Sequence, residues 1–140
     1  MRFVLVFTIL CLLGAMTAAN LWHWVGQREQ QRVDSGLRAA ELGAKLAFAE
    51  NLHKEKFGAY TRDFSRLGAM LGEEMPCPLE QANTILACTG YQYRVQDGLL
   101  IARWQHNPQV YLAFGLADGA IDCSHALPAL QKEPICSPLE

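Results

Sequence analysis

Residues 3–27, FVLVFTILCLLGAMTAANLWHWVGQ, contain no Asp, Glu, Lys or Arg. An uncharged apolar run of this length must be cleaved off, buried or placed in lipid, so it constrains the fold more than any other feature. Two readings fit it. A signal peptide needs a basic start, a core of about 7–15 apolar residues and a small-x-small cleavage site. Arg2, residues 3–13 and Thr17-Ala18-Ala19 supply these, and cleavage after Ala19 would leave a chain beginning at Asn20. A membrane anchor needs roughly 20 apolar residues. Residues 3–21 meet that length, and Trp22 and Trp24 follow where an interfacial aromatic belt sits. The helical pattern then runs past Arg28 without a proline, as expected of one rod leaving the bilayer. Either reading exports the remainder. Residues 1–27 are therefore expected to be an N-terminal transmembrane anchor or uncleaved signal, and residues 28–140 an exported head.

The head holds all fourteen acidic and eleven of the twelve basic side chains, which leaves it slightly acidic. This balance gives no electrostatic footprint for nucleic acid. Charged residues are 19% and apolar ones 51% of the chain, a composition that suits folding over disorder. At 140 residues there is room for one globular domain and an appendage.

Cysteine usage agrees with export. Cys11 lies inside the apolar run, whereas Cys77, Cys88, Cys123 and Cys136 form an even set in the head. In an oxidising compartment four cysteines make two disulfides by one of three pairings. The local pairing, Cys77 with Cys88 and Cys123 with Cys136, is favoured because each bond would close a short Pro- or turn-rich loop. A zinc site joining these thiols to His125 is the rival; Cys123-x-His125 is poor ligand spacing.

From Val33 onward the apolar period is helical. Val33, Leu37, Ala40, Ala44, Ala47, Phe48 and Leu52 fall at steps close to three and four, and Gly36 and Gly43 lie seven apart. The expected helix covers residues 28–56, with this small-residue stripe packed on a sheet or another helix. Glycine inside a helix costs about 1 kcal/mol relative to Ala, which close packing can offset. A corner follows at residues 57–68: Phe57-Gly58-Ala59-Tyr60 stops the helix, and Tyr60, Phe64 and Leu67 turn inward from a single helical turn at 61–67. A disulfide loop is expected at 76–90. Tyr91-Gln92-Tyr93-Arg94-Val95 then alternates, the mark of a half-buried strand. Gln96-Asp97-Gly98 reads as a hairpin turn. Strands at 99–104, 109–114 and 120–123 complete an antiparallel meander over 91–123, and a Pro-rich loop at 123–140 ends the chain. Helix followed by a run of strands makes the class α+β, a long helix on a sheet of about four strands.

In this order of parts the chain resembles the type IV pilins and pseudopilins. That family joins an apolar membrane helix to a globular head through a Gly-x-Tyr corner and a short Asp/Leu-bearing turn. An antiparallel sheet follows, often with a C-terminal disulfide loop. The matching pieces are residues 39–56, Phe57-Gly58-Ala59-Tyr60, residues 61–67 and 91–123, with Cys123 and Cys136 bounding the last loop. The ending Ile135-Cys136-Ser137-Pro138-Leu139 resembles the tail of some short bacterial pilin-like proteins. The chain departs from the family at its start: it has no Gly-Phe-Thr-Leu-type cleavage site, and its first acidic residue is Glu29. The resemblance implies a structural or accessory role in a type IV pilus or type II secretion pseudopilus, anchored in the inner membrane with its head in the periplasm or outside the cell. Its partners would be other pilin-like subunits or assembly proteins, met through the N-terminal helix. A signal-cleaved exported binding module is the alternative.

Catalytic chemistry is not expected. His23, His53, His106 and His125 are scattered over different elements, and Glu73-Glu74 reads as a solvated turn. No nucleophile elbow, P-loop or dinucleotide fingerprint occurs. Tyr91, Tyr93 and Trp104 read as sheet packing, since no basic groove accompanies them. No enzyme activity, metal or cofactor is expected.

Overall fold

The computed structural model describes residues 1–136. The expected tail motif at 137–139 and the end of the 123–140 loop lie outside the described residues. The chain divides into two compact units, Met1–Asp34 and Ser35–Glu140. Helix α1 runs from Arg2 to Phe57 without a break. In the second unit, the head, its later turns pack on a six-stranded antiparallel sheet, so the class is α+β.

The sheet is a meander in sequence order: β1 (Leu79–Glu80), β2 (Ile85–Cys88), β3 (Tyr91–Gln96), β4 (Leu99–Trp104), β5 (Asn107–Gly115) and β6 (Ile121–Asp122). Alternation places Tyr91, Tyr93 and Val95 of β3 and Leu100 and Ala102 of β4 inside. Gln92, Arg94 and Gln96 point the other way. Between these strands Asp97 and Gly98 both take positive φ, 50° and 73°, the two-residue turn that matches strand twist.

The sheet has two strands more than expected. The segment 76–90 was read as a disulfide loop, yet it carries β1 and β2, turned through Gln81, Ala82 and Asn83, all at positive φ. Ile85-Leu86-Ala87-Cys88 is an unalternating run of four, too short for its period to separate strand from loop. The turn before β5 is also earlier than expected, at 105–106, and β5 starts at Asn107 after a register shift between Arg103 and Trp104.

Glycine sets the distance between helix and sheet. A Cβ on Gly43 would lie 2.2 Å from Cζ of Phe114, a β5 side chain buried to 1% exposure. The Tyr93 hydroxyl donates to the Ala39 carbonyl of the helix at 3.3 Å. Gly36 meets Leu130 of a short C-terminal helix, α3 (Pro128–Gln131), which gives the Pro-rich tail a buried anchor.

The buried stripe is rotated from the one expected. Val33, Gly36, Ala40, Gly43 and Ala47 are buried and Leu37 is half-buried, but Ala44 and Phe48 face solvent, Phe48 at 60% exposure. Ala39, Leu46, Ala49 and Glu50 take their places. Counting apolar steps weighted Phe48 and passed over Glu50, although Glu50 is seven residues beyond Gly43, as Gly43 is beyond Gly36.

Past the corner, α2 (Phe64–Leu71) is a longer helix than the single turn expected at 61–67. Asp63 caps it, accepting from the Ser65 N–H at 2.9 Å, and Gly72 closes it in the left-handed conformation.

Candidate functional site

In the first unit the large apolar side chains are exposed, Phe3 at 92% and Trp22 at 82%. An apolar surface of this extent is a membrane-interaction feature, and α1 is long and apolar enough to cross a bilayer. The uncharged residues 3–27 at about 1.5 Å each exceed a hydrocarbon core of roughly 30 Å. The Thr17 hydroxyl bonds back to the Leu13 carbonyl at 3.0 Å, and Thr8 does the same to Val4, so neither asks for water. Beyond Trp22, the Arg28 guanidinium lies 3.6 Å from the Trp24 ring centroid. Aromatic and cation thus meet where the apolar run stops. An anchor or a signal sequence has these properties, and either one exports the head.

The head is closed by two disulfides, Cys77–Cys88 and Cys123–Cys136, with Cα separations of 5.3 and 5.6 Å. The first ties the approach to β1 to the end of β2, and the second ties the chain after β6 to the turn beyond α3. Cys11 is a free thiol on the exposed apolar helix. Among the described residues no group of three or more His, Cys, Asp or Glu is placed to hold a metal ion. His125 stacks on Tyr111, ring centroids 4.6 Å apart. Tyr91 and Tyr93 are buried, and Trp104 is packed against the core. Glu73 pairs with Lys45, linking the segment after α2 to α1.

The corner turns on Gly58. Gly58 has φ +82°, a conformation that only glycine adopts cheaply, and its N–H closes the helix on the Lys54 carbonyl at 2.7 Å. Phe57 is 60% exposed and packs its ring, tilted, against His53, so it caps the corner from outside. Tyr60 is half-buried under Lys54, while Phe64 and Leu67 are fully buried.

Two polar side chains to which the sequence reading gave no structural role, Glu50 and His53, hold this corner from within. Glu50 is fully buried, and its Oε2 accepts from the Thr61 N–H at 3.0 Å. His53 is 4% exposed; its Nδ1 lies 2.7 Å from the Ala59 carbonyl and therefore carries the donated hydrogen. Glu50 Oε1 and His53 Nε2 are buried without a hydrogen-bond partner. Helix and returning loop are thus joined by two side chain to backbone bonds, one from each neighbouring turn.

Burial holds the Glu50 carboxyl above its ordinary pKa of 4.5, against the lowering effects of the Thr61 N–H and of His53. The folded head therefore binds this proton more tightly than the unfolded chain does. The stability Glu50 contributes is fully present below about pH 4.5 and is lost as pH rises through its raised folded value. Asp63 behaves oppositely: bonds from Ser65 lower its pKa below 3.8, so its contribution is lost on acidification. Glu50→Gln keeps an acceptor for Thr61 and is expected to flatten the loss of stability above pH 4.5. Glu50→Ala removes the acceptor and costs about 2 kcal/mol. Urea unfolding at several pH values checks both; an unchanged pH slope in Glu50→Gln would contradict the assignment.

Compared with family models, curated proteins and solved structures, the chain matches none.

Proposed function

We propose that this chain is a pilin-like protein of a type IV pilus or type II secretion pseudopilus, serving as a structural subunit or an accessory to one. It acts through packing of its N-terminal helix and through contacts of its head, without catalysing a reaction. One observation carries the reading: a single helix is lipid-compatible over its first part and is the spine of a disulfide-closed α+β head over its second. The Gly58 corner and the meander that follows support it by their order along the chain. In this reading the helix roots the protein in the inner membrane, the head lies in the periplasm or beyond, and other pilin-like subunits or assembly proteins are its partners. Nucleic acid is not among them.

Photo-cross-linkers placed at Phe7 and Leu12, both exposed on the apolar helix, test this in cells. Adducts with pilin-like subunits are expected, together with reduced piliation or secretion on deletion of the chain. Recovery of an isolated monomer, with pili and secretion intact in the deletion strain, would overturn the reading and favour a signal-cleaved exported binding module.

A further inference from the structure

On the sheet face away from the helix, Gln92, Arg94 and Gln96 of β3 lie beside Ile101 and Arg103 of β4, with Gln92 opposite Arg103 and Arg94 opposite Ile101. Two depressions of about 420 and 260 Å³ indent this face and share Arg94 and Gln96. Arg62 and Asp97 line the first and Arg103 the second. A slightly acidic head thus gathers three arginines and no lysine at one surface.

Their charges are not met by carboxylates among the described contacts. Arg94 donates to Gln81 Oε1 at 3.4 Å, and Arg103 donates to the Pro108 carbonyl at 3.0 Å. The ion pairs among the described residues, Lys45–Glu73 and Arg66–Asp63, use none of the three. A guanidinium presents a planar fork of donors that fits a carboxylate through two parallel bonds. Beside the forks stand neutral amides, Gln92, Gln96 and Gln81, which both donate and accept.

We propose that this face binds an acidic polysaccharide, a chain of uronic acid sugars whose carboxylates meet Arg94 and Arg103 and whose hydroxyls meet the glutamine amides. The β3 and β4 backbone groups here are bonded to each other and to neighbouring strands, so a peptide has no open edge to extend. Recognition must come from side chains, and these alternate charged with neutral groups, as a polyhydroxylated acid does. Tyr93 lines the second depression but is fully buried, and Tyr111, opposite Arg103, already carries that guanidinium 5.1 Å from its ring centroid and stacks on His125, so neither ring is open to a nucleobase. The site does not depend on filament membership and can succeed or fail independently of it.

Fluorescence anisotropy with the full chain in neutral detergent micelles and labelled hexagalacturonate tests the proposal. Saturable binding that weakens with salt is expected, with Arg94→Gln and Arg103→Gln each lowering affinity about tenfold or more, the scale of one charge-assisted hydrogen bond. Arg38→Gln, on the exposed side of α1, and neutral cellohexaose serve as controls. The expected results are unchanged affinity for the former and no binding by the latter. Circular dichroism melts establish that the variants fold. Absence of binding up to about 1 mM, the weak end of recognition, would overturn the proposal. So would equal binding of cellohexaose or hexaglutamate, or an equal loss in Arg38→Gln.

Discussion

Gly43→Ala is expected to destabilise the head by about 1–3 kcal/mol, although alanine is the better helix former by about 1 kcal/mol. Propensity alone predicts a gain, so the sign of the effect decides between a free helix surface and a packed one. The added methyl would sit 2.2, 2.3 and 2.9 Å from three atoms of the Phe114 ring. That ring is rigid, buried, and on a central stretch of β5 paired on both sides. It can yield only if the helix lifts from the sheet. Gly36→Ala is the internal comparison. Its nearest neighbours are the Leu130 methyls at 2.8 and 3.2 Å, on a side chain that can change rotamer in a short C-terminal helix. Gly36→Ala is therefore expected to be near neutral. Urea denaturation of the three proteins measures this, and a stabilised Gly43→Ala would mean that α1 does not lie on β5 as described.

Loss of the disulfides is expected to have the larger effect. Each bond closes a loop of eleven or thirteen residues, for which chain-entropy reasoning gives about 3 kcal/mol. Two such losses approach the total stability of a small domain, roughly 5–15 kcal/mol. The bonds also hold short elements that cannot persist alone. Cys77–Cys88 fastens the two-residue β1 to β2, and Cys123–Cys136 keeps Leu130 over Gly36. Reduction with dithiothreitol should thus lower the thermal midpoint of the head by well over ten degrees, or unfold it at growth temperature. The single pairs Cys77→Ser/Cys88→Ser and Cys123→Ser/Cys136→Ser should each show about half of the loss. A midpoint unchanged by reduction would contradict the bridges.

Legibility of the fold followed signal length. The alternation in Tyr91-Gln92-Tyr93-Arg94-Val95 and the Asp97-Gly98 turn each carry a period or a φ requirement within a few residues, and both elements stand where the sequence placed them. The hairpin of β1 and β2 had neither, because its strands of two and four residues are too short to show a period and its turn uses Gln81-Ala82-Asn83 without glycine. The existence of the helix was plain, but its rotation was not. Small residues surround it on several sides, so Phe48 drew the inferred face toward itself while the sheet selected the glycines. Glu50 and His53 were hidden for a related reason: a carboxylate and an imidazole near a helix end read as solvated until the chain is seen to fold back over them. The seven-residue step from Gly36 through Gly43 to Glu50 was the available signal.

We propose that one helix is both membrane root and head spine. Intact-mass measurement of the protein extracted from the membrane fraction tests it most directly. A chain that still begins at Met1 and resists alkaline carbonate extraction is expected. A chain that begins at Asn20 and is recovered in the soluble exported fraction would contradict it.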